Sequence, residues 1–326
     1  MVEWQRISDL DEMLYELRAW RDANEPESDM PISQFFHNFY RENCLETYAG
    51  STIVTSYPTM EYIEGYEAGT EMFCAFDTPE YLDYIKRQTQ LVDDRIYPYD
   101  RANFDPESTH RKAGDYWIWY SQGYIEAPKG NTEYDCGLQR QNTSMMYTGY
   151  VQAATNMISA DTESPEACAD FIEFMSTNKE WGTIVRFGIE GVNYKLDENG
   201  RVDCAAEGME NIKYWYGVMF GDITNCVLPN DCSDDFADAL DELNNNSLAS
   251  ANLGFTPNTE NIPNELAAVK AVVAEYDNKD SLGSGMIPAA ELEVLYQEFV
   301  EKLHANGIET LKEDFQAQLD AWHAAQ

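Results

Sequence analysis

From Pro263 to Trp322 the chain repeats one pattern: apolar side chains recur every three or four residues, break, and recur again. Leu266, Val269, Val273 and Tyr276 mark one face of a first helix with Pro263 near its start. Leu292, Leu295, Tyr296, Phe299 and Leu303 mark a second, and Gly307 follows as a residue able to take the left-handed conformation that ends a helix. Ile308, Leu311, Phe315, Leu319 and Trp322 mark a third, which runs almost to the last residue and is expected to dock rather than fray. Each stripe is stable only against another surface. The remaining sequence must therefore supply a core for three amphipathic helices.

Upstream signals are more varied. Ser8 is placed to cap a helix through about Asn24, with Leu10, Leu14, Leu17 and Trp20 on its buried side. Thr78-Pro79-Glu80 is a strong helix start, followed by Tyr81, Tyr84, Ile85, Leu91 and Val92 at helical spacing. Asp115 to Tyr120 alternates as a strand with aromatic residues on both faces, and Tyr150 to Ser159 reads as a second strand. Ser164-Pro165-Glu166 opens a helix carrying Phe171, Ile172 and Met175, and Asn178 opens a short one holding Trp181, Ile184 and Val185. Asp197-Glu198-Asn199-Gly200 predicts a hairpin between 194–196 and 201–203. The acidic run after Cys226 predicts a loop and one helix. The order of elements is that of an α/β lobe.

Composition removes several functions. The 326 residues, with 44% apolar and 13% aromatic content, can bury a core of roughly two domains. A net charge of -38 opposes contact with nucleic acid phosphates and disfavours anionic ligands, while neutral sugars are indifferent to it. No run approaches the roughly eighteen apolar residues of a membrane span, and MVEWQRISDLDEML lacks the regions of a signal peptide. The 7 Cys contain no CxxC, and Cys226 and Cys232 are near enough to form either a disulfide or two buried thiols. The 4 His show no metal-binding spacing, and His304 and His323 read as solvated. No metal and no cofactor is expected.

Several ordered stretches resemble one family. Leu253-Gly254-Phe255-Thr256, Asn264-Glu265-Leu266-Ala267-Ala268-Val269, Glu301-Lys302-Leu303 with Asn306-Gly307-Ile308, and Gln316 to Trp322 resemble the C-terminal module of Gram-positive, lipid-anchored solute-binding proteins that feed ABC importers. Asn156 to Ala160, Ser164-Pro165-Glu166-Ala167 and Phe187-Gly188-Ile189-Glu190-Gly191 follow the order common to its carbohydrate-type members. The resemblance implies an α/β, periplasmic-binding-protein-like two-lobe fold of type II, helix-rich. It also implies a signal sequence and most of a first lobe ahead of Glu3-Trp4, so an incomplete N-terminal lobe is expected here. Residues 1–140 and 196–326 are expected to form the C-terminal lobe with its helical cap, and 141–195 the segment that crosses into the other. By the same resemblance the protein is an extracellular, monomeric binding component that meets ABC permease subunits and closes its lobes on an oligosaccharide without breaking a bond.

Sugar recognition combines aromatic faces, which stack on pyranose rings, with a few polar groups that fork across hydroxyls. With 7 Trp and 21 Tyr the chain is rich in the first kind. The candidates are Trp117, Trp119, Tyr120, Tyr147, Tyr150, Glu190, Tyr194 and Trp215, which follow strands or lie in glycine-containing loops. Each has a structural alternative: the tryptophans as core, the tyrosines as ordinary strand residues around Gly149, and Glu190 as a surface loop residue. Two other functions fit the inventory. A glycoside hydrolase needs paired carboxylates, and 59 acidic residues always provide some pair. A derived interaction module would bind no small ligand at all.

Overall fold

The closing helices form where their apolar spacing places them, and they pack on elements from the first hundred residues. The computed structural model describes residues 7–33, 45–48, 51–56, 69, 71–98, 113–115, 117–118, 145–152, 155–203, 221–222, 224–230, 232, 234–277 and 281–326. In chain order these form α1 (Ile7–Asn24), β1 (Glu46–Tyr48), β2 (Ser51–Ser56), β3 (Phe73–Cys74), α2 (Pro79–Asp93), β4 (Met145–Met146) and α3 (Thr148–Val151). There follow α4 (Pro165–Thr177), α5 (Lys179–Phe187), α6 (Phe236–Asn245), β5 (Leu248–Ala249), α7 (Pro263–Tyr276), α8 (Ala289–Ala305) and α9 (Ile308–Ala324). The chain divides into two compact units: the first is Met1–Ser121, Gln139–Tyr150 and Ser247–Gln326, the second Gln122–Leu138 and Val151–Asn246.

In the first unit β1, β2 and β3 form an antiparallel sheet, with Thr47 opposite Thr55 and Val54 opposite Cys74. β4 and β5 pair in parallel, Met145 with Leu248 and Met146 with Ala249. The core joins this sheet to α2 and the closing helices. Phe299 has no exposed surface and stands 5.2 Å from the Tyr276 ring and 5.4 Å from Phe76. Leu303, Ile308, Leu311, Phe315 and Leu319 are buried beside it. Burying such a side chain contributes about 1.5–3 kcal/mol, and the three stripes find their partner surfaces in this one cluster. Gly307 joins α8 to α9 at φ +98°, and a β-carbon there would lie 3.2 Å from Glu265 Cγ. Thr78 caps α2 as its sequence predicts, its Oγ1 accepting from Tyr81 N at 3.1 Å.

The second unit has a smaller core of Phe187, Tyr194, Val202 and Cys226. Asn178 opens α5 as expected, accepting from Trp181 N at 2.8 Å. The hairpin is present, with Asp197 N donating to Arg201 O at 2.8 Å and Gly200 at φ +74°. Cys226 and Cys232 are buried thiols and not a disulfide; Arg186 Nη1 donates to Cys226 Sγ at 2.9 Å.

Local expectations fail where pairing or packing decides. Tyr150 to Ser159 is not a strand: the helical turn α3 ends at Val151, and 155–159 is irregular, with Met157 86% exposed. Apolar alternation makes a strand only where a partner edge accepts it, and among the described residues none pairs with this segment. Of the strand expected at Asp115 to Tyr120, the described part makes a single parallel bridge between Ile118 and Ser33. The α1 helix begins at Ile7, so Ser8 lies inside it instead of capping it.

The packing around Phe299 sets a direct expectation. Phe299→Ala should lower the unfolding free energy of the first unit by about 3–5 kcal/mol in a denaturant titration, whereas Val294→Ala, at a site 70% exposed, should leave the midpoint nearly unchanged.

Candidate functional site

The chain passes between the two units four times; β4 and β5 lie beside two of these crossings, the exit after Tyr150 and the return at Ser247. A buried polar cluster holds both. Asn252, with no exposed surface, donates from Nδ2 to Tyr48 Oη at 2.8 Å and to Ser56 Oγ at 3.2 Å. Its Oδ1 accepts from His323 Nε2 at 2.8 Å, which places the imidazole proton on that nitrogen. Its backbone N donates to Ser250 Oγ at 3.0 Å, and the Ser250 hydroxyl donates to Glu46 Oε2. Thr148 anchors the outgoing chain: Gly254 N donates to its Oγ1 at 2.8 Å, and it donates to Asn252 O at 3.4 Å. The rings of Tyr48, Phe255 and Trp322 close the cluster, in sequence 5.7 Å and 5.9 Å apart.

This cluster positions the first group of expected ligand residues. Tyr147, half-buried, is the residue before Thr148, and Tyr150 lies one turn on in α3. Burial pushes the Glu46 carboxyl up from its ordinary range, outweighing the hydrogen bonds of Ser250 and Tyr48. The Tyr48 phenol is pushed up too, first by burial and then by the Glu46 charge.

Trp117 lies elsewhere in the first unit. Its backbone N donates to Ile32 O at 3.0 Å, and its half-buried ring meets Trp20 edge to face at 5.2 Å. Trp20, expected on the buried side of α1, is 50% exposed. Trp117 is half-buried and Trp20 half exposed, so the pair keeps some contact with solvent. Trp119, Tyr120 and Trp215 lie outside the described residues.

In the second unit Glu190 and Tyr194 face each other across a tight loop, with Gly191 N donating to Tyr194 O at 2.7 Å. Glu190 is exposed. The Tyr194 side chain is 8% exposed and packs against Phe187 at 6.0 Å between ring centroids, so it supports the loop from below.

The sequence reading missed Trp20, Glu46, Asn252 and His323. Trp20 lies in an apolar stripe whose spacing predicts core, yet it is half exposed. Asn252 and His323 are 71 residues apart, a pairing no local pattern announces. His323 is an integral part of the cluster and His304 pairs with Asp77 Oδ2 at 2.8 Å, so neither is merely solvated. Among the described residues no group of His, Cys, Asp and Glu could hold a metal ion, and no helix is long and apolar enough to cross a membrane.

The cluster is cooperative, and its centre can be removed. Asn252→Ala would leave Tyr48 and Ser56 with only each other, at 2.7 Å, and His323 to solvent, and would open a small cavity, with an expected cost of about 1–3 kcal/mol measured by urea unfolding.

Against known proteins, residues 251–324 match the family described as "Domain of unknown function (DUF3502)". No curated protein matches the chain. Among solved structures, the N-glycan transport solute binding protein NgtS from Streptococcus pneumoniae superposes with a TM-score of 0.75 at 17% identity, over 95% of this chain and 67% of that one. Its complex with Man5GlcNAc gives a TM-score of 0.74 at 17% identity, over 97% and 68%. The S. pneumoniae ABC-transporter substrate binding protein FusA, as an EF-hand mutant in complex with fructo-nystose, gives 0.50 at 12% identity, over 100% and 70%. The chain has the α/β fold of these solute-binding proteins and spans about two thirds of the length of each.

Proposed function

We propose that this chain is the substrate-binding component of an ABC importer for a neutral oligosaccharide. The observation that carries the proposal is the likeness, over 95% of the chain, to a solute-binding protein for N-glycan transport. The Trp117 and Trp20 pair supports it, because an exposed aromatic surface is what pyranose rings stack on. The charge of -38 favours a neutral solute over an anionic one. In this proposal Trp117, Trp119, Tyr120 and Trp215 supply stacking faces, Tyr147 and Tyr150 flank the backbone at Gly149, and Glu190 accepts from sugar hydroxyls. Tyr194 acts by holding the Glu190 loop. Lobe closure on the ligand presents a form that permease subunits recognise, and no bond is broken. The setting is the outer face of a Gram-positive cell, as a monomeric lipid-anchored protein.

Two measurements test this. A panel of neutral and anionic oligosaccharides should raise the melting temperature only for neutral members, by an amount equivalent to about 2.7 kcal/mol at a hundredfold excess over Kd, and the ligand should be recovered intact. Hydrolysis of a panel member would make the protein a glycosidase. Trp117→Ala should weaken binding about 10- to 100-fold, on the order of 1–3 kcal/mol by calorimetry, with little change in the unliganded melting temperature. A lowered melting temperature at unchanged affinity would return Trp117 to a purely structural role.

A further inference from the structure

Glu46 has no exposed surface, yet no Lys or Arg of the described residues faces it. Oε2 accepts from Ser250; Oε1 is buried and makes no hydrogen bond of ordinary geometry, although the Tyr48 hydroxyl and the Thr148 backbone N–H lie near the carboxyl and favour its charged form less than burial opposes it. A carboxylate in this position would leave part of its charge unsolvated and unpaired, which proteins avoid by keeping the acid protonated. A neutral carboxylic acid asks less. It carries its own hydrogen on one oxygen and can exchange donor and acceptor roles with the Ser250 hydroxyl.

The position gives that chemistry a consequence. Ser250 passes the contact to Asn252 N, Asn252 passes it to Tyr48, Ser56 and His323, and Thr148 ties the outgoing chain to Gly254. Two of the four crossings between the units, after Tyr150 and before Ser247, therefore lie within a few residues of contacts that lead to this acid. We propose that Glu46 is carried as a neutral acid in the folded protein and acts as a pH-sensitive latch on these two crossings, its ionisation loosening the Thr148 and Asn252 anchors. This goes beyond the transport reading and does not rest on it.

The other titratable groups facing the cluster are Tyr48 on β1 and His323 on α9; β2, α3 and the turn after β5 contribute the hydroxyls of Ser56, Thr148 and Ser250. Burial keeps the Tyr48 phenol protonated across the working range. His323 is common to the wild type and a Glu46 variant, so the difference between them isolates Glu46. Because the folded state holds the Glu46 proton more tightly than the unfolded chain does, the latch is complete below the ordinary Glu value of about 4.3 and weakens as pH rises through the raised one.

The experiment compares the wild type with Glu46→Gln, which keeps the shape and both hydrogen-bonding roles of the neutral acid. The wild-type-minus-variant infrared spectrum should contain the carbonyl stretch of a protonated carboxylic acid that persists to a pH above the ordinary Glu value. Hydrogen exchange at Asn252 and Gly254, corrected for the intrinsic pH dependence, should accelerate in the wild type by up to about tenfold per pH unit above the midpoint, and stay level in the variant. Loss of the infrared band with rising pH should share the midpoint of the exchange profile, a comparison that needs only the wild type if the variant does not fold. Absence of the band, equal pH profiles in the two proteins, or separate midpoints would overturn the proposal.

Discussion

The buried amide of Asn252 is the contact on which the arrangement of the first unit depends. Its side chain reaches β1 through Tyr48, β2 through Ser56 and α9 through His323, and its backbone reaches Ser250. A fully enclosed amide is favourable only when its donors and acceptor are used, and here they are. The cost of leaving any partner unmatched makes this geometry exclusive: the N-terminal sheet, the returning chain and the last helix must meet in one register.

Around that point the core is assembled from the chain's extremes. Met72 N donates to Gln316 Oε1 at 2.8 Å, Tyr81 Oη to Asp277 Oδ1 at 2.7 Å, and Tyr296 Oη to Thr78 O at 3.2 Å. These contacts span 244, 196 and 218 residues, while the second unit interrupts the first at Gln122–Leu138 and again at Val151–Asn246. Contacts of such separation add loop-closure cost and slow folding. The buried stripes of α7, α8 and α9 supply the apolar area that offsets it, and the polar cluster supplies the specificity that apolar area lacks.

Legibility followed the range of the interactions. The Thr78 and Asn178 caps, the stripes around Phe299 and Phe315, and the Gly200 turn depend on neighbours within a few residues, and each formed as its local pattern predicts. Tyr150 to Ser159 reads as a strand, but its described residues form the end of a helical turn and an exposed irregular segment, and among the described residues no strand pairs with them. Trp20 kept helical spacing but ended half exposed against Trp117. The type and neighbourhood of Tyr194 suggest a ligand contact, whereas its ring is packed beneath the loop that carries Glu190.

By itself the sequence determined the helices, their caps, the apolar faces that had to be covered and an acidity that disfavours anionic partners, because spacing, propensity and charge are properties of short stretches. Only the tertiary structure decided that Glu46 would be enclosed with no Lys or Arg of the described residues facing it, that Asn252 would bridge two strands and the last helix, and that Trp20 would join Trp117. Those outcomes depend on which distant segments share a boundary and how much water remains there. Nothing in the local pattern of a carboxylate, an amide or an indole encodes that.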